Sequence, residues 1–509
     1  MSNSFNLVDQ KWIPCLHIDG HIEDLSLLDA LAKAHQLRGI HGDSPLETAS
    51  LYRLLLAVIH SAMRGPRRKS DWSRLWVAEN FDMAMIEGYL NKWRDRFDLF
   101  HPQRPFYQVG DERAKTKSVI SLVFDMASGH NAALFDHHTE GTGVSLQPSN
   151  AARALITVQN FGLAGLFLSG SPFTDGPWSR GILFFLEGEN LYKTLVLNLL
   201  PYPDDEVRPT QSNDQPAWEK DNPFEPERQI PLGYLDYLTW QSRRILLKLE
   251  DDQPVVRTMT MAPGLRLDGS IQDPMKAYRH NEEKEFWMSM RFTEDRSMWR
   301  DSGSFLGIKN IHGIPPQPFS WLVDRLDEPG HQKFQLMAFG MANDQAKVEF
   351  FREEHLPLSL RYLENENLIA DLRQALDLSE RTRFSLRYAV QGLALLVVSP
   401  KSDGKKWKEV DRISRDQAEK LTSHWNTERS FWQHLEIPFL NLIGNLPENP
   451  TAMFDWNTTL RETAWQCLEK AVSAAGTDPN SLKAAVRARG VLRYSLKELF
   501  PEIQKEATT

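Results

Sequence analysis

The character of the sequence changes near residue 360, and this change most limits the folds open to the chain. Before it, strand-like segments are mixed with amphipathic helices. After it, helical periodicity runs through residues 364–376 followed by 383–398, then 416–435, 457–475 and 481–499. With 364–376 and 383–398 taken as one interrupted stretch, these four helical stretches with short links, punctuated by proline and glycine, are typical of an antiparallel four-helix bundle. The pattern predicts an α+β fold, with a mixed globular N-terminal domain at 1–360 and the bundle at 361–509.

Length and charge narrow the classes of function. At 509 residues the chain is too long for one hydrophobic core. The net charge is −9, from 59 basic and 68 acidic residues, so the protein as a whole has no basic signature. A nucleic-acid role therefore requires local basic patches on an acidic body.

Cysteine content and hydropathy indicate the compartment. Cys15 and Cys467 are the only cysteines, which excludes a disulfide framework and an all-cysteine zinc site. The sequence starts without a cationic segment followed by an apolar run, and no uncharged apolar stretch approaches the ~20 residues that span a bilayer. We therefore expect a cytoplasmic protein with no membrane partner.

The sequence contains no pattern typical of a catalytic site. There is no phosphate-binding loop ending in Gly-Lys-Ser/Thr, no Gly-x-Ser-x-Gly turn and no His-Glu-x-x-His helix. Gly141-Thr142-Gly143 lacks the third glycine of a dinucleotide-binding fingerprint. We therefore expect no enzymatic activity and no cofactor.

One group of potential metal ligands lies at His130, His137 and His138, with Asp136 and Glu140 beside them. Imidazole and carboxylate groups do bind transition metals. Histidines are common in loops that hold no metal, however, so we expect no metal site. A metal-dependent nuclease that uses His137 and His138 remains an alternative.

A strong helix start lies early in the N-terminal domain. Ser44-Pro45-Leu46-Glu47 combines an N-cap serine, a proline at the first helical position and a capping-box glutamate. Leucine, valine and isoleucine then recur at helical spacing. The pattern predicts a helix that runs to about Met63.

A hairpin is predicted around Asn343-Asp344-Gln345-Ala346. Apolar residues at 334–339 lead to this small polar tip, and residues 348–351 lead away from it. Gly340 and Asn343 tolerate the positive φ angles of tight turns. A side-chain amide at the tip can both donate and accept hydrogen bonds and carries no charge. On its own, this segment is better described as an ordinary solvated turn.

Other polar segments are candidates for binding. Phe135 and His137 lie in a loop that extends to about Ser149, and loops of this length are often functional. The short run Gly162-Leu163-Ala164-Gly165 follows a predicted helix. Arg266 lies between two turn signals, Pro263-Gly264 and Asp268-Gly269.

Basic residues recur along the last predicted helix. Arg489, Arg493 and Lys497 are spaced four apart and drift by only ~40° per step around the helix. Lys483 and Arg487 add a second short row. Such a stripe can follow a phosphate backbone, and it can equally be a solvated face of the bundle.

Several motifs together resemble a known family. They are Leu7-Val8-Asp9-Gln10-Lys11-Trp12-Ile13-Pro14, Asp214-Gln215-Pro216-Ala217-Trp218, Trp240-Gln241, Thr427-Glu428-Arg429-Ser430-Phe431-Trp432 and Ala485-Val486-Arg487-Ala488-Arg489. In their order and spacing, and in the two-domain organisation, the chain resembles the CasA family, the large subunit of the type I-E CRISPR Cascade complex. The resemblance extends over the whole chain.

The resemblance implies roles in DNA recognition. Asn343-Asp344-Gln345-Ala346 resembles the family's glutamine wedge, which enters the duplex beside the protospacer-adjacent motif (PAM), with Asp344 where the family has asparagine. Gly162-Leu163-Ala164-Gly165 resembles the glycine-rich loop against the PAM minor groove, although only two of its residues are glycine. Arg266 is the best counterpart of the family's basic finger, which is otherwise a lysine.

The resemblance also implies partners. Phe135, with His137 as a polar contact, resembles the aromatic residue that anchors the subunit near the 5′ end of the guide RNA. The implied function is a non-catalytic large subunit that recognises the PAM in double-stranded target DNA and wedges the duplex open for R-loop formation. Its partners would be crRNA, the other Cascade subunits and the helicase-nuclease that it helps to recruit. A purely structural scaffold subunit remains a further alternative.

Overall fold

The chain folds into two compact units. The computed structural model describes residues 4–124, 144–201, 213–281, 283, 285–294, 296–306, 313–323, 333–344, 347–402 and 409–501. Unit 1 comprises Met1–Glu294 and Ile308–His355, and unit 2 comprises Asp295–Gly307 and Leu356–Thr509. The helical unit thus begins close to the predicted boundary at 360, and it also includes the segment 295–307, which was predicted to belong to the N-terminal domain.

Helices and strands are distributed unevenly between the two units. The helices are α1 (Leu27–Ala32), α2 (Pro45–Met63), α3 (Lys69–Val77), α4 (Met83–Lys92), α5 (Pro148–Phe161), α6 (Leu191–Asn198), α7 (Tyr234–Leu238), α8 (Ser302–Phe305), α9 (Gln317–Val323), α10 (Arg361–Glu364), α11 (Glu366–Val398), α12 (Arg412–Trp425), α13 (Thr427–Asn445), α14 (Ala452–Ala474) and α15 (Pro479–Leu499). Among the described residues, no helix has the length and apolar character needed to cross a membrane.

The strands form small sheets. They are β1 (Ile13–His17), β2 (Ile22–Leu25), β3 (Leu37–Ile40), β4 (Thr116–Ser118), β5 (Leu183–Glu187), β6 (Arg243–Leu249), β7 (Val256–Pro263), β8 (Tyr278–Asn281), β9 (Phe286–Ser289), β10 (Gly313–Ile314), β11 (Lys333–Asp344) and β12 (Lys347–Ser359). The strand orders are β2-β1-β3, β4-β7-β6, β10-β8-β9 and β12-β11-β5. Antiparallel pairing with segregated helices makes this an α+β fold, as predicted.

The capped helix α2 is central to unit 1. Ser44 Oγ accepts a hydrogen bond from the Glu47 backbone N–H at 3.3 Å, and the Glu47 carboxylate accepts one from Asp43 N–H at 3.1 Å. Almost every residue from Leu46 to His60 is buried, and the helix packs against α4, α5, α6, α7 and β11. The predicted span to Met63 is confirmed.

Helix α11 is the axis of unit 2, and its 33 residues pack against α12, α13, α14 and α15. The sequence pattern was interpreted as separate segments at 364–376 and 383–398, but the helix is continuous through both. Ser379 and Thr382 interrupt the apolar pattern while staying on the buried face. The Ser379 hydroxyl donates a hydrogen bond to the Ala375 carbonyl at 2.6 Å. This polar side chain can therefore be buried without a break in the helix.

The predicted helix at 416–435 is two helices in the structure. Helix α12 ends at Trp425 and α13 begins at Thr427, with Asn426 between them at a left-handed φ of 50°. Asparagine tolerates that conformation better than most residues. Because α12 also packs on α11, unit 2 contains more than four helices. The helical domain is observed, and its description as an antiparallel four-helix bundle stays a prediction.

His355 generates a prediction about the stability of unit 1. Its ring nitrogens lie 3.3 Å from a Glu187 carboxylate oxygen and 2.9 Å from one of Glu353. Hydrogen bonds to Glu187 and then Glu353 raise the pKa of His355 from 6.5 to about 9, although burial opposes them. Because the folded-state pKa is raised, its stabilisation is complete below pH 6.5 and is lost as the pH rises through about 9.

We expect His355→Gln to lower the free energy of unfolding at about pH 6 and to have little effect above about pH 9.5. Urea denaturation at both pH values measures the difference. His424→Gln, which changes an exposed histidine on α12, is the matched control. A destabilisation by His355→Gln that stays constant across this pH range would contradict the assignment.

Candidate nucleic-acid interface

The predicted hairpin is present, and its strands extend further than the sequence suggested. β11 continues to Asp344, β12 begins at Lys347, and the two are neighbours in one sheet. Gly340 is therefore a strand residue without positive φ, not part of a turn. A Cβ atom at Gly340 would lie 3.0 Å from the Gly181 carbonyl oxygen, so this glycine permits a close approach of two backbones.

Only part of the hairpin tip can be located. Asn343 is half-buried near the end of β11. The backbone of Asp344 completes that strand. Gln345 and Ala346 lie outside the described residues, as do Phe135 and His137 of the predicted guide-RNA loop.

The glycine run at 162–165 lies at the C-terminal end of α5 and is fixed by side chains from elsewhere in unit 1. Arg243 Nη2 donates to the Leu163 carbonyl at 2.7 Å, and the Ala164 N–H donates to Asp175 Oδ1 at 2.8 Å. Gly165 and Phe173 exchange backbone hydrogen bonds of 3.2 and 2.9 Å. Residues 162–176 thus form a loop with a closed, rigid base.

The two glycines of this run serve different purposes. A Cβ atom on Gly162 would lie 2.7 Å from both Arg243 Nη2 and the Val158 carbonyl oxygen. A Cβ atom on Gly165 would meet nothing within 4 Å. Gly162 is therefore required by packing, whereas Gly165 faces open space.

Arg266 lies across a cleft from the second half of this loop. The cleft has a volume of about 930 Å³, and its lining includes Ser171, Pro172, Thr174, Gly264 and Arg266. The side chain of Arg266 is exposed, while the preceding Leu265 is buried and donates its N–H to the Gln241 carbonyl at 2.9 Å. The structure therefore places Arg266 on one cleft with residues 171–174, which lie beyond the predicted run Gly162–Gly165 in the same loop.

The base of the hairpin and the base of the loop share one segment, residues 175–181. Asp175 accepts from Ala164 N–H with one oxygen and from Arg180 Nε at 2.9 Å with the other. The next residue, Gly181, has a φ of 105° and faces Gly340 of β11. This arrangement places the hairpin, the loop and the cleft in one region of unit 1.

Two arginines outside the predicted site add positive charge there. Arg180 is half-buried and Arg291 is exposed. Partial burial and then the neighbouring Arg180 guanidinium lower the pKa of Arg291. Asp175 is the carboxylate that influences both. In the sequence, Arg180 could have been noticed because a glycine, Gly181, follows it directly. No local sequence pattern distinguishes Arg291.

The basic stripe of α15 in unit 2 is only partly available to a ligand. Arg489 makes two hydrogen bonds to the Glu469 carboxylate of α14, at 2.7 and 2.5 Å. Arg493 and Lys497 are exposed. Arg489 could contact a phosphate only if its ion pair with Glu469 were broken. Of the three predicted residues, Arg493 and Lys497 are therefore the ones available to a ligand.

One cluster of potential metal ligands is present among the described residues, and it is not the group at His130, His137 and His138. His17, His21 and Glu23 place their ligand atoms within 4.8 Å of one another on the β1–β2 hairpin. The two imidazole rings are stacked with their centroids 3.9 Å apart, and each has a carboxylate partner: His17 Nε2 lies 3.6 Å from Glu23 and His21 Nδ1 lies 2.6 Å from Asp19. His137 and His138 lie outside the described residues.

Comparison with known proteins identifies relatives over almost the whole chain. The family model described as CRISPR-associated protein Cse1 matches residues 6–467. A CasA/Cse1 protein of Thermus thermophilus is 33% identical over 515 residues, covering 98% of this chain and 99% of the relative.

Solved structures agree with this match. The crystal structure of Thermus thermophilus CasA has a TM-score of 0.80 at 31% identity, over 97% of this chain and 99% of that one. A chain of a CRISPR RNA-guided surveillance complex has a TM-score of 0.75 at 21% identity, over 96% and 99% of the two chains, and shows the likeness of fold.

The different surroundings of the two glycines lead to a prediction. We expect Gly162→Ala to destabilise the protein by roughly 1–3 kcal/mol, because the added methyl group must displace Arg243 or the end of α5. We expect the matched Gly165→Ala change to stay within about 0.5 kcal/mol. Urea denaturation of both variants measures this contrast. Equal effects of the two substitutions would contradict the packing role of Gly162.

Proposed function

The chain belongs to the CRISPR-associated Cse1 family, the CasA large subunit of CRISPR surveillance complexes, and on this basis we propose that it recognises the PAM in double-stranded target DNA and opens the duplex beside it. The observation that carries the proposal is the shared position of the loop at 162–176 and Arg266 on one cleft. The hairpin of β11 and β12 begins from the same region.

Each part suits one step of duplex recognition. The loop has a fixed base and no charged residue from Gly162 to Thr174, which allows its backbone to approach base edges in the minor groove. Arg266 supplies a cation to the same groove or its phosphates. Because the minor groove distinguishes mainly A·T from G·C pairs, we expect the protein to tolerate several PAM sequences.

The hairpin tip is proposed to separate the strands. Inserting a side chain between base pairs costs a few kcal/mol of stacking, which protein contacts and the guide–target heteroduplex repay. Gln345 is the residue assigned to this step, with Asn343, Asp344 and Ala346 shaping the tip. Guide RNA pairing then supplies sequence discrimination, so the protein itself tests only a short motif and its ease of opening.

Remaining parts of the proposal rest on the family relationship. Phe135 would stack near the 5′ end of the crRNA, with His137 as a polar contact. Arg493 and Lys497 of α15 would follow DNA phosphates. The subunit would assemble with the other Cascade subunits and help to recruit the helicase-nuclease, and it would itself be non-catalytic.

The wedge assignment is tested with Gln345→Ala in the assembled complex. We expect R-loop formation on relaxed linear DNA to slow by roughly ten- to a hundredfold, because the variant lacks the side chain that displaces the first base pair. A duplex with a pre-opened bubble beside the PAM should restore the rate. Gln335→Ala, which removes an exposed glutamine of β11, is the control. Wild-type rates on relaxed linear DNA would refute the assignment.

The finger assignment is tested with Arg266→Ala and Arg266→Lys across a library of PAM sequences. We expect Arg266→Ala to weaken binding about tenfold and to change the order of preferred PAMs. Arg266→Lys should keep the salt dependence but lose the geometry of a guanidinium contact. Arg412→Ala removes a comparably exposed charge from α12 and is the control. An unchanged PAM profile in Arg266→Ala would remove this residue from the site.

A further inference from the structure

The outer half of the loop at 162–176 exposes two leucines. Leu166 is 87% exposed and Leu168 is 97% exposed. Phe167 between them turns back to the protein, where its ring meets the edge of Phe173 at a centroid distance of 5.6 Å. We call residues 166–172 the leucine tip.

The leucine tip is held outward by its base. Directly below it, Gly165 and Phe173 exchange two backbone hydrogen bonds. The Phe173 ring is in turn covered by the Arg243 guanidinium at 5.0 Å and approached by Lys117 Nζ at 5.9 Å. Since Phe167 is packed on this ring, the leucines on either side of it cannot fold into the same contact. Their exposure is therefore built into the loop.

Because Leu166 and Leu168 are exposed, the protein does not gain the stabilisation that comes from burying a leucine side chain. Burying such a side chain is worth about 1.5–3 kcal/mol. Scattered exposed apolar residues are normal, but here two lie within three residues on one anchored loop. This loop also borders the cleft that contains Arg266. The observations together indicate a surface that becomes buried on binding.

Charge distinguishes the class of partner. The run from Gly162 to Thr174 contains no ionisable side chain, although the protein has a net charge of −9. Cations lie around its base: Arg113 beside Gly170, Lys117 beside Phe173, and Arg266 across the cleft. The carboxylates at the base are Asp111, which pairs with Arg113, and Asp175, which pairs with Arg180, while Glu227 and Asp268 line the far side of the cleft.

A neutral apolar tip, with the cations Arg113, Lys117 and Arg266 around its base, is complementary to a DNA minor groove. Phosphates flank the groove and attract cationic side chains. The groove is narrow, and the edges of the stacked nucleobases form its floor. Proteins that bend DNA place leucine, isoleucine or phenylalanine between base steps from this side. An acidic residue anywhere in the tip would oppose that entry, and none is present.

We propose that Leu166 and Leu168 enter the minor groove of the duplex and partly unstack a base step there. The inference deepens the proposed function and rests on it. It assigns the protein two points of insertion into one duplex: the leucine tip from the minor groove, and the tip of the β11–β12 hairpin at the point of strand separation. The leucine tip would thereby add sensitivity to how easily the PAM duplex deforms.

The test compares the assembled wild-type complex with a Leu166→Ser, Leu168→Ser double variant. The probe is a PAM-containing duplex without complementarity to the guide, so that only duplex recognition is measured. We expect affinity to fall roughly ten- to a hundredfold. The slope of log K against log salt should stay unchanged, because no cation is removed. 2-Aminopurine placed in the PAM should lose the fluorescence increase that accompanies unstacking.

Three controls separate insertion from other effects. Leu166→Met with Leu168→Met keeps the apolar volume and should retain affinity and the fluorescence change. Val77→Ser removes an apolar side chain of α3 that is 80% exposed and should leave both unchanged. Gel filtration of each complex reports whether the subunit still assembles.

The outcomes discriminate clearly. If the wild-type complex binds the PAM duplex and the serine variant binds it equally well, the inference is wrong and the proposed function stands. If the serine variant no longer assembles, the leucines contact a neighbouring subunit, which overturns the inference. If the wild-type complex itself shows no preference for PAM duplex, the proposed function fails and this inference fails with it. Weaker binding with an altered salt slope would also contradict insertion of neutral side chains.

Discussion

Unit 1 depends on a buried arginine in the middle of α2. Arg53 is almost fully enclosed, with its guanidinium 4.5 Å from the Trp178 ring and 4.7 Å from that of Tyr237. Its counter-charge, Asp273, lies 3.8 Å away and accepts a hydrogen bond from Trp178 Nε1 at 2.5 Å. Lys276 extends the network by donating to the Pro177 carbonyl at 2.7 Å, and burial lowers the pKa of Lys276 to about 8. Buried charges persist only when paired and hydrogen-bonded in this way.

This network determines where the binding elements lie, because Pro177 and Trp178 belong to the segment 175–181. The loop at 162–176 and the hairpin of β11 and β12 both contact that segment. The loop and the hairpin, which we propose to contact DNA, are therefore both anchored to one segment of the core. Recognition of a motif and opening of the adjacent base pair require that the distance between two contacts be fixed, and a shared anchor provides this.

Local chemistry was sufficient to predict some elements and not others. The cap at Ser44 and the small polar tip between two apolar runs are short-range signals, and both α2 and the hairpin of β11 and β12 are observed. The sequence could not reveal that Arg489 is already paired with Glu469, since the two meet only when α14 packs near α15. Arg266 and residues 171–174 are about ninety residues apart in sequence, and their common cleft likewise exists only in the fold. Pairings over such distances depend on packing that no local pattern encodes.

The closure of the loop by Gly165 and Phe173 has a consequence for how such proteins diversify. The hydrogen bonds described for the loop lie at or below this pair, and within residues 166–172 Phe167 adds its ring contact with Phe173. The sequence of the leucine tip can therefore vary while the base of the loop stays the same. Under the proposed function, the six residues of the tip other than Phe167 can be randomised, or exchanged with those of a relative, in a search for new motif preferences while the stability of unit 1 is kept.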